Sequence, residues 1–212
     1  MTTAAADSGH NGDRADLALR IALIEEERAV IRLQTAYGYY VDKAQWDEAA
    51  DLFARDATLE IAGRGLYRGQ DRIRTYLKCL PPLVPGAVFN HMQLQPLVTL
   101  HGETALGRWR AIMEVAVPNA QGQTGRALVG EATYENAYLR EGGVWKIARL
   151  HCFVTYYADW HLGIAAGGVP MGTPLPQFPP DAPQTVDYES YPGVFVPPYH
   201  YPNPVTGKEW AP

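Results

Sequence analysis

Four long segments in the second half of the chain alternate between apolar and polar residues, and this pattern constrains the fold most. A period of two indicates β-strands with one face towards a core. The links between the segments are short and contain glycine, which favours antiparallel neighbours. The segments span residues 88–100, 105–117, 126–140 and 144–156. The sequence therefore predicts an antiparallel sheet.

The residues before these segments have a helical period instead. One face of the first predicted helix carries a stripe of apolar residues: Leu23, Val30, Leu33, Tyr37 and Val41. Two shorter helices are predicted over 46–53 and 70–80, with short strands at 58–61 and 66–68 between them. Three helices packed on a curved antiparallel sheet give an α+β fold. Such a sheet can wrap around the first helix and leave a cavity at one end.

Composition divides the chain near residue 157. Of its 17 prolines, 12 lie between residues 170 and 212, a density that excludes helices and central strands. The same stretch is rich in aromatic residues, which a disordered linker lacks. We expect a flexible N-terminus over 1–14, one domain over 15–157, and a C-terminal arm over 158–212. The arm is expected to pack on the body or on a dimer partner.

Several classes of function do not fit the composition. The net charge is -5 and no cluster of Lys or Arg occurs, which argues against nucleic acid or an anionic membrane as a partner. Residues 1–12 lack the pattern of a secretory signal, so we expect a cytoplasmic protein. The only serines are Ser8 and Ser190, which disfavours a serine hydrolase. The histidines show no metal-ligand spacing and no nucleotide motif occurs, so we expect neither a metal nor an organic cofactor.

Several motifs resemble those of SnoaL-like proteins, which belong to the nuclear transport factor 2-like superfamily. The resemblance covers residues 18–157. The matching segments are 37–47 (YGYYVDKAQWD), 52–60 (LFARDATLE), 69–77 (GQDRIRTYL), Asn90-His91 and 143–147 (GVWKI). It implies a cone-shaped α+β barrel that encloses a cavity. Members include dehydratases, isomerases, cyclases and non-catalytic proteins, so the fold does not give the function.

The enzyme pattern that can be placed most fully is that of scytalone dehydratase. Its aspartate on the first helix matches Asp42, and its histidine at the start of a long strand matches His91. Its second catalytic histidine falls near Val115 and its helix tyrosine on Val41, which makes scytalone an unsuitable substrate. The chain also resembles sphingomonad lyases that release formaldehyde from lignin dimers of the diarylpropane and phenylcoumaran type. Its aromatic content and the segment 199–207 support that similarity.

Asp42 and His91 are the candidate catalytic residues. Asp42 falls at the inner, C-terminal end of the first helix, where a carboxylate could act as a general base. His91 begins an alternating strand, where an imidazole beside a carboxylate can move a proton. The structural alternatives are an exposed aspartate that holds a turn and a histidine satisfied in the core. His151 alternates onto the opposite face, towards an expected dimer contact.

Four aromatic residues are candidate substrate-binding residues. Trp109 lies on the apolar face of its strand and could stack on an aromatic substrate, although a role as core filler fits equally well. Tyr134 shares a face with small residues that leave room for a ligand. Tyr37 and Tyr76 could border the same pocket.

The leading hypothesis is a cofactor-independent lyase that acts on a hydroxylated aromatic molecule, a lignin-derived diaryl compound among them, and releases formaldehyde or water. One alternative is an isomerase or cyclase that uses Asp42 as a shuttling base. Another is a non-catalytic module that binds a small molecule or supports assembly. The weakly charged outer faces of the last strands predict a homodimer.

Overall fold

The structure, a computed structural model, describes residues 7–119, 121–170 and 172–211. It has the α+β architecture that the sequence predicted. The helices are α1 (Asp7–Asp42), α2 (Trp46–Asp51) and α3 (Gln70–Lys78); the strands are β1 (Phe53–Ile61), β2 (Leu66–Arg68), β3 (Val88–His101), β4 (Thr104–Pro118), β5 (Thr124–Glu141) and β6 (Val144–Asp159). Within these ranges, no helix is long and apolar enough to cross a membrane.

All six strands form one sheet in the order β2-β1-β6-β5-β4-β3. The last four are consecutive antiparallel neighbours, as their short links predicted. One pair departs from the expected antiparallel arrangement: β1 runs parallel to β6, with Leu59 opposite Leu150. β1 and β6 are far apart in the sequence, so no tight turn dictates their relative direction. This pairing joins the β1–β2 hairpin to the long strands.

The edge strand β3 is bent where it passes α1. Its register with β4 shifts between Leu94 and Leu97, and Gln95 has a left-handed backbone with a φ of 48°. Pro96 has no N–H to donate to the sheet, which suits an irregular position in an edge strand. Such a bulge increases the local bend. It helps β3 follow α1, which packs mainly against this strand.

Only the C-terminal half of α1 lies on the sheet. Val30, Tyr37 and Val41 of the predicted stripe are buried, whereas Leu23 is 49% exposed. The stripe therefore continues towards the N-terminus beyond the part that the sheet covers. The helix itself begins at Asp7, inside the stretch 1–14 that we expected to be flexible. Residues 1–6 of that stretch lie outside the described residues.

A buried polar network joins α1 to the sheet. Gln34 accepts hydrogen bonds through Oε1 from Asn136 Nδ2 and from the Tyr138 hydroxyl, each at 2.9 Å. The Trp109 indole donates to the same Tyr138 hydroxyl at 2.9 Å. Such groups are stable in a core only when they are hydrogen-bonded. The network fixes how α1 sits on the sheet.

The described residues beyond β6, 160–170 and 172–211, form a C-terminal arm that lies along the body of the same chain. Leu66 N donates to Ala182 O at 2.9 Å, which extends pairing at the edge of β2. Thr185 donates to Glu60 twice, from its backbone N–H and its hydroxyl, each at 2.7 Å. The arm therefore covers the outer face of β1.

Aromatic rings attach the arm to β6 as well. The Tyr188 hydroxyl accepts a hydrogen bond from Val154 N at 2.8 Å. The rings of Tyr188 and Phe195 stack 4.7 Å apart, and both pack on Phe153. The outer face of the sheet is thus covered by proline-rich chain without regular secondary structure.

Candidate functional site

The inner face of the sheet and the C-terminal end of α1 enclose a cavity of about 310 Å³. Its apolar lining residues are Val41, Trp46, Ile61, Leu77, Leu80, Pro81, Phe89, Met113, Val115, Val117 and Leu128. Its polar lining residues are Tyr37, Arg64, His91, Arg126, Tyr134, Cys152 and Tyr157. A mostly apolar wall with a few converging polar groups is typical of a small-molecule site.

Asp42 and His91 meet at the edge of this cavity. Asp42 is the last residue of α1 and His91 is the fourth residue of β3, and the packing of these elements brings them together. The backbone N–H of His91 donates to Asp42 Oδ1 at 2.6 Å, and the imidazole Nδ1 lies 3.2 Å from the same oxygen. His91 lines the cavity. Asp42 lies in the adjoining surface groove and contacts His91 from there.

This contact fixes the orientation of the imidazole. Nδ1 of a neutral His91 carries the proton when it donates to the carboxylate, which leaves Nε2 unprotonated and able to accept a proton. A carboxylate at this position also stabilises the imidazolium that forms. The two side chains remain 15% and 19% exposed, for Asp42 and His91 respectively, so both stay accessible to protons. The pair can therefore perform acid–base chemistry on a molecule in the cavity.

Tyr37 and Tyr134 both line the cavity and are almost fully buried. Burial raises the pKa of each phenol far above its ordinary value. Both hydroxyls are therefore neutral at physiological pH and can donate hydrogen bonds to a ligand. These are two of the four substrate-binding residues that the sequence suggested.

The other two, Trp109 and Tyr76, are buried and lie outside the lining of this cavity. Trp109 belongs to the buried network around Tyr138. It lies closer to the start of β4 than Met113 and Val115, which line the cavity. Tyr76 is fully buried behind Arg64, whose Nη1 donates to its hydroxyl at 3.0 Å. Alternation along a strand predicted the correct face for Trp109, but it carries no information about depth.

The positions that differ from the scytalone dehydratase pattern are part of the cavity wall. Val41 and Val115 both line it, where that pattern has a tyrosine and a second histidine. Among the residues that line the cavity, His91 is therefore the one histidine, and an apolar surface stands where the pattern has its second proton donor.

Sequence reasoning missed two arginines that line the cavity, the partly buried Arg64 and the exposed Arg126. Arg64 ends the 3₁₀ turn Ala62–Arg64 between β1 and β2, and the sequence indicated only a turn there. Ala62 has a φ of 46° and Gly65 a φ of 85°, so the turn is tight and irregular. A long charged residue between two glycines was the available signal.

His151 and His200 lie on the outer face of the sheet, away from the cavity. His151 stacks on Phe153 with ring centroids 3.9 Å apart, and its Nε2 lies 3.4 Å from Glu60 Oε1. His200 Nδ1 lies 3.1 Å from Glu135 Oε2. The alternation had placed His151 on this face, but the arm of the same chain covers it where we expected a dimer contact. In the parts of the chain that the structure describes, no cluster of three His, Cys, Asp or Glu residues could hold a metal ion.

Solved structures with this fold include several from bacteria. A candidate scytalone dehydratase from Novosphingobium aromaticivorans has a TM-score of 0.57 at 18% identity, over 72% of this chain and 95% of that one. A hexachlorocyclohexane dehydrochlorinase, LinA type 3, from Novosphingobium barchaimii has a TM-score of 0.54 at 19% identity, over 66% and 93% of the chains. A Mycobacterium tuberculosis protein of unknown function has a TM-score of 0.52 at 20% identity, over 64% and 75%.

The TM-scores indicate a shared fold, and at identities this low they indicate nothing further. A comparison with curated protein sequences finds no significant match. The family is established by the sequence itself, since residues 22–151 match the SnoaL-like domain and this match spans more than half of the chain. The chain belongs to the SnoaL-like domain family.

Proposed function

We propose that the chain is a cofactor-independent lyase that acts on a hydroxylated aromatic small molecule by acid–base elimination. The observation that carries the proposal is the double contact of His91 with Asp42 Oδ1 at the edge of an apolar cavity. A carboxylate–imidazole pair beside a mostly apolar cavity is an arrangement that suits general acid–base catalysis.

In this mechanism His91 is the group that contacts the substrate. Its Nε2 removes a proton, and the electron pair left on the substrate forms a double bond. The leaving group departs with a proton returned by the imidazolium, so the elimination of water consumes no external acid or base. Loss of formaldehyde uses the same pair: His91 removes the proton of a hydroxymethyl group and the carbon–carbon bond breaks to release formaldehyde. The freed electron pair then forms a double bond, and the hydroxyl on the neighbouring carbon leaves as water with the proton that the imidazolium returns. Asp42 holds the ring and stabilises its cationic form.

The cavity supports an aromatic substrate. Its volume of about 310 Å³ is at the lower end of small-molecule sites, which suits a compact molecule of one or two rings. The neutral hydroxyls of Tyr37 and Tyr134 can hold a phenol or stabilise an oxyanion. Trp46 and Phe89 supply apolar ring contacts at the wall.

The names of two similar structures, a dehydratase and a dehydrochlorinase, both denote eliminations, which favours an elimination here over an isomerisation. Within that class we propose formaldehyde release from a lignin-derived diaryl compound. The apolar Val115, at the position of the dehydratase pattern's second histidine, supports a reaction other than scytalone dehydration.

The test is incubation of the purified protein with a panel of diaryl diols, without added cofactor or metal, while formaldehyde and ultraviolet absorbance are measured together. Formaldehyde with a new stilbene-like band would support the deformylating lyase, and a new band alone would indicate dehydration. Both signals must disappear in His91→Ala and persist in His101→Ala, which changes an exposed histidine of the same strand. A rearranged product without a released fragment would favour the isomerase or cyclase instead.

We further propose that the protein acts as a cytoplasmic homodimer. Support comes from Leu17, Ile21 and Ile24, which are about half exposed and spaced as neighbours on one face of α1. Light scattering should give twice the monomer mass, and Ile21→Glu should reduce it. A monomeric wild type would overturn this part of the proposal.

A further inference from the structure

The cavity carries positive charge without an acidic residue in its wall. Arg64 and Arg126 both line it, and no aspartate or glutamate does so among the described residues. Neither arginine takes part in an ion pair with another described residue. The Asp42 carboxylate contacts His91 from the adjoining groove and does not line the cavity.

The partners of Arg64 are neutral. Its Nη1 donates to the Tyr76 hydroxyl at 3.0 Å, which is the one hydrogen bond of its side chain within the described part of the chain. Burial raises the pKa of Tyr76, although the nearby guanidinium opposes this, so the phenol keeps its proton. Tyr157 and Cys152 line the same region, and burial raises the pKa of each to about 12. These groups contribute hydrogen bonds and no negative charge.

Arg64 is partly buried, and a guanidinium that is withdrawn from water is costly unless an anion accompanies it. It has five N–H groups, and only one of them is engaged by Tyr76, so a planar anion can still bind in a bidentate manner. On the basis of the function proposed above, we propose that the substrate carries a carboxylate that binds Arg64. The aromatic part of the substrate then extends towards His91.

A carboxylate fits this position better than a neutral phenol. Because the guanidinium is permanently charged, the ligand that complements it is one that arrives already ionised. An oxyanion formed only during the reaction would leave the arginine without a counter-charge in every other state. The second arginine, Arg126, adds to the positive potential of the cavity and favours entry of an anion.

The experiment compares two unreactive probes of the same shape at pH 7.5, cinnamate and cinnamamide, by isothermal titration calorimetry. Cinnamate is expected to bind the wild type at least tenfold more tightly than cinnamamide, because a charged bidentate hydrogen bond is lost in the amide. Arg64→Met should remove this preference, and Arg64→Lys should keep part of it. Arg55→Met, which changes an exposed arginine, should leave both affinities unchanged.

Equal affinities of the wild type for the two probes would overturn the proposal, whatever the variants do. So would a preference for cinnamate that survives in folded Arg64→Met, as judged by circular dichroism. Neither probe reacts, so the binding experiment is independent of the lyase assay. Equal binding of the two probes would overturn the carboxylate proposal without contradicting formaldehyde release, and an absence of turnover would overturn the lyase proposal without changing the binding result.

Discussion

Gly172 of the C-terminal arm packs directly against the side chain of Arg64. A methyl group on Gly172 would lie 2.7 Å from Arg64 Nε and 3.2 Å from its Cγ, so the arginine side chain would have to shift. The arm thus packs against the side chain of Arg64, whose Nη1 donates to the Tyr76 hydroxyl. A segment that sequence analysis treated as an appendage therefore positions a residue of the cavity.

This contact predicts that Gly172→Ala displaces Arg64 and weakens cinnamate binding several-fold, with little change for cinnamamide. The matched control is the same change in the Arg64→Met background, where it should have no further effect on cinnamate binding. Calorimetry on the four proteins measures the coupling. Additive losses would show that Gly172 acts on the cavity by another route.

Asp42→Asn should retain the fold and lose activity. Asparagine keeps an oxygen that can accept from the His91 backbone N–H, but it cannot stabilise an imidazolium. We expect kcat to fall by about 10²- to 10⁴-fold with a small change in KM. Steady-state kinetics check this, with Asp56→Asn, a change at an exposed position, as the control. A mainly raised KM would assign Asp42 to substrate binding instead.

Trp109→Phe should destabilise the protein without affecting substrate binding. The substitution removes the donor to the Tyr138 hydroxyl and leaves a small void in the core. The expected loss is about 1–3 kcal/mol of unfolding free energy. Denaturant titration measures it. Tyr134→Phe, which removes a hydroxyl from the cavity wall, should show the reverse pattern, with a raised KM and a smaller loss of stability.

The arm should be held by its aromatic contacts. Phe195→Ala removes a ring that packs on Phe153 and Tyr188, so we expect a lower Tm. Val194→Ala, next to it and 91% exposed, should leave Tm unchanged. Thermal melts of both variants decide this. Equal effects would mean that the arm is not fixed by this cluster.

Acid should destabilise the outer face of the sheet. Burial lowers the pKa of His151, and Arg149 lowers it further, against the opposing effect of Glu60. Glu135 and His200 of the same crevice also face it. The pKa of this histidine in the unfolded chain is about 6.5. Below that pH the unfolded chain binds a proton that the folded chain resists, so the free energy of unfolding decreases as the pH decreases.

Melts between pH 5 and 8 should show this decline, and His151→Gln should make it shallower. His161→Gln, at an exposed position, serves as the control. Stability that rises on acidification would contradict the expected direction.

Much of the fold follows from periodicity, and part of the site does not. The stripe on α1 and the alternation of β3 predict which faces Asp42 and His91 present, and the resemblance to the family paired them. Arg64 could not be found in this way, since its position depends on the irregular backbone of Ala62 and Gly65. For Trp109 the alternation predicted the correct face of the sheet, but it could not predict how far along β4 the cavity extends.

The parallel pairing of β1 with β6 also has a consequence for how the molecule forms. Leu59 and Leu150 are neighbours in the sheet although about ninety residues separate them. Contacts between such distant residues form slowly, because a long loop must close first. On a ribosome, β1 would remain without this partner until β6, which ends at Asp159, had been made. The turn that carries Arg64 and the arm that packs on it would then join the cavity last. A chain interrupted before β6 would have α1 and the strands β3 to β5 but no complete pocket.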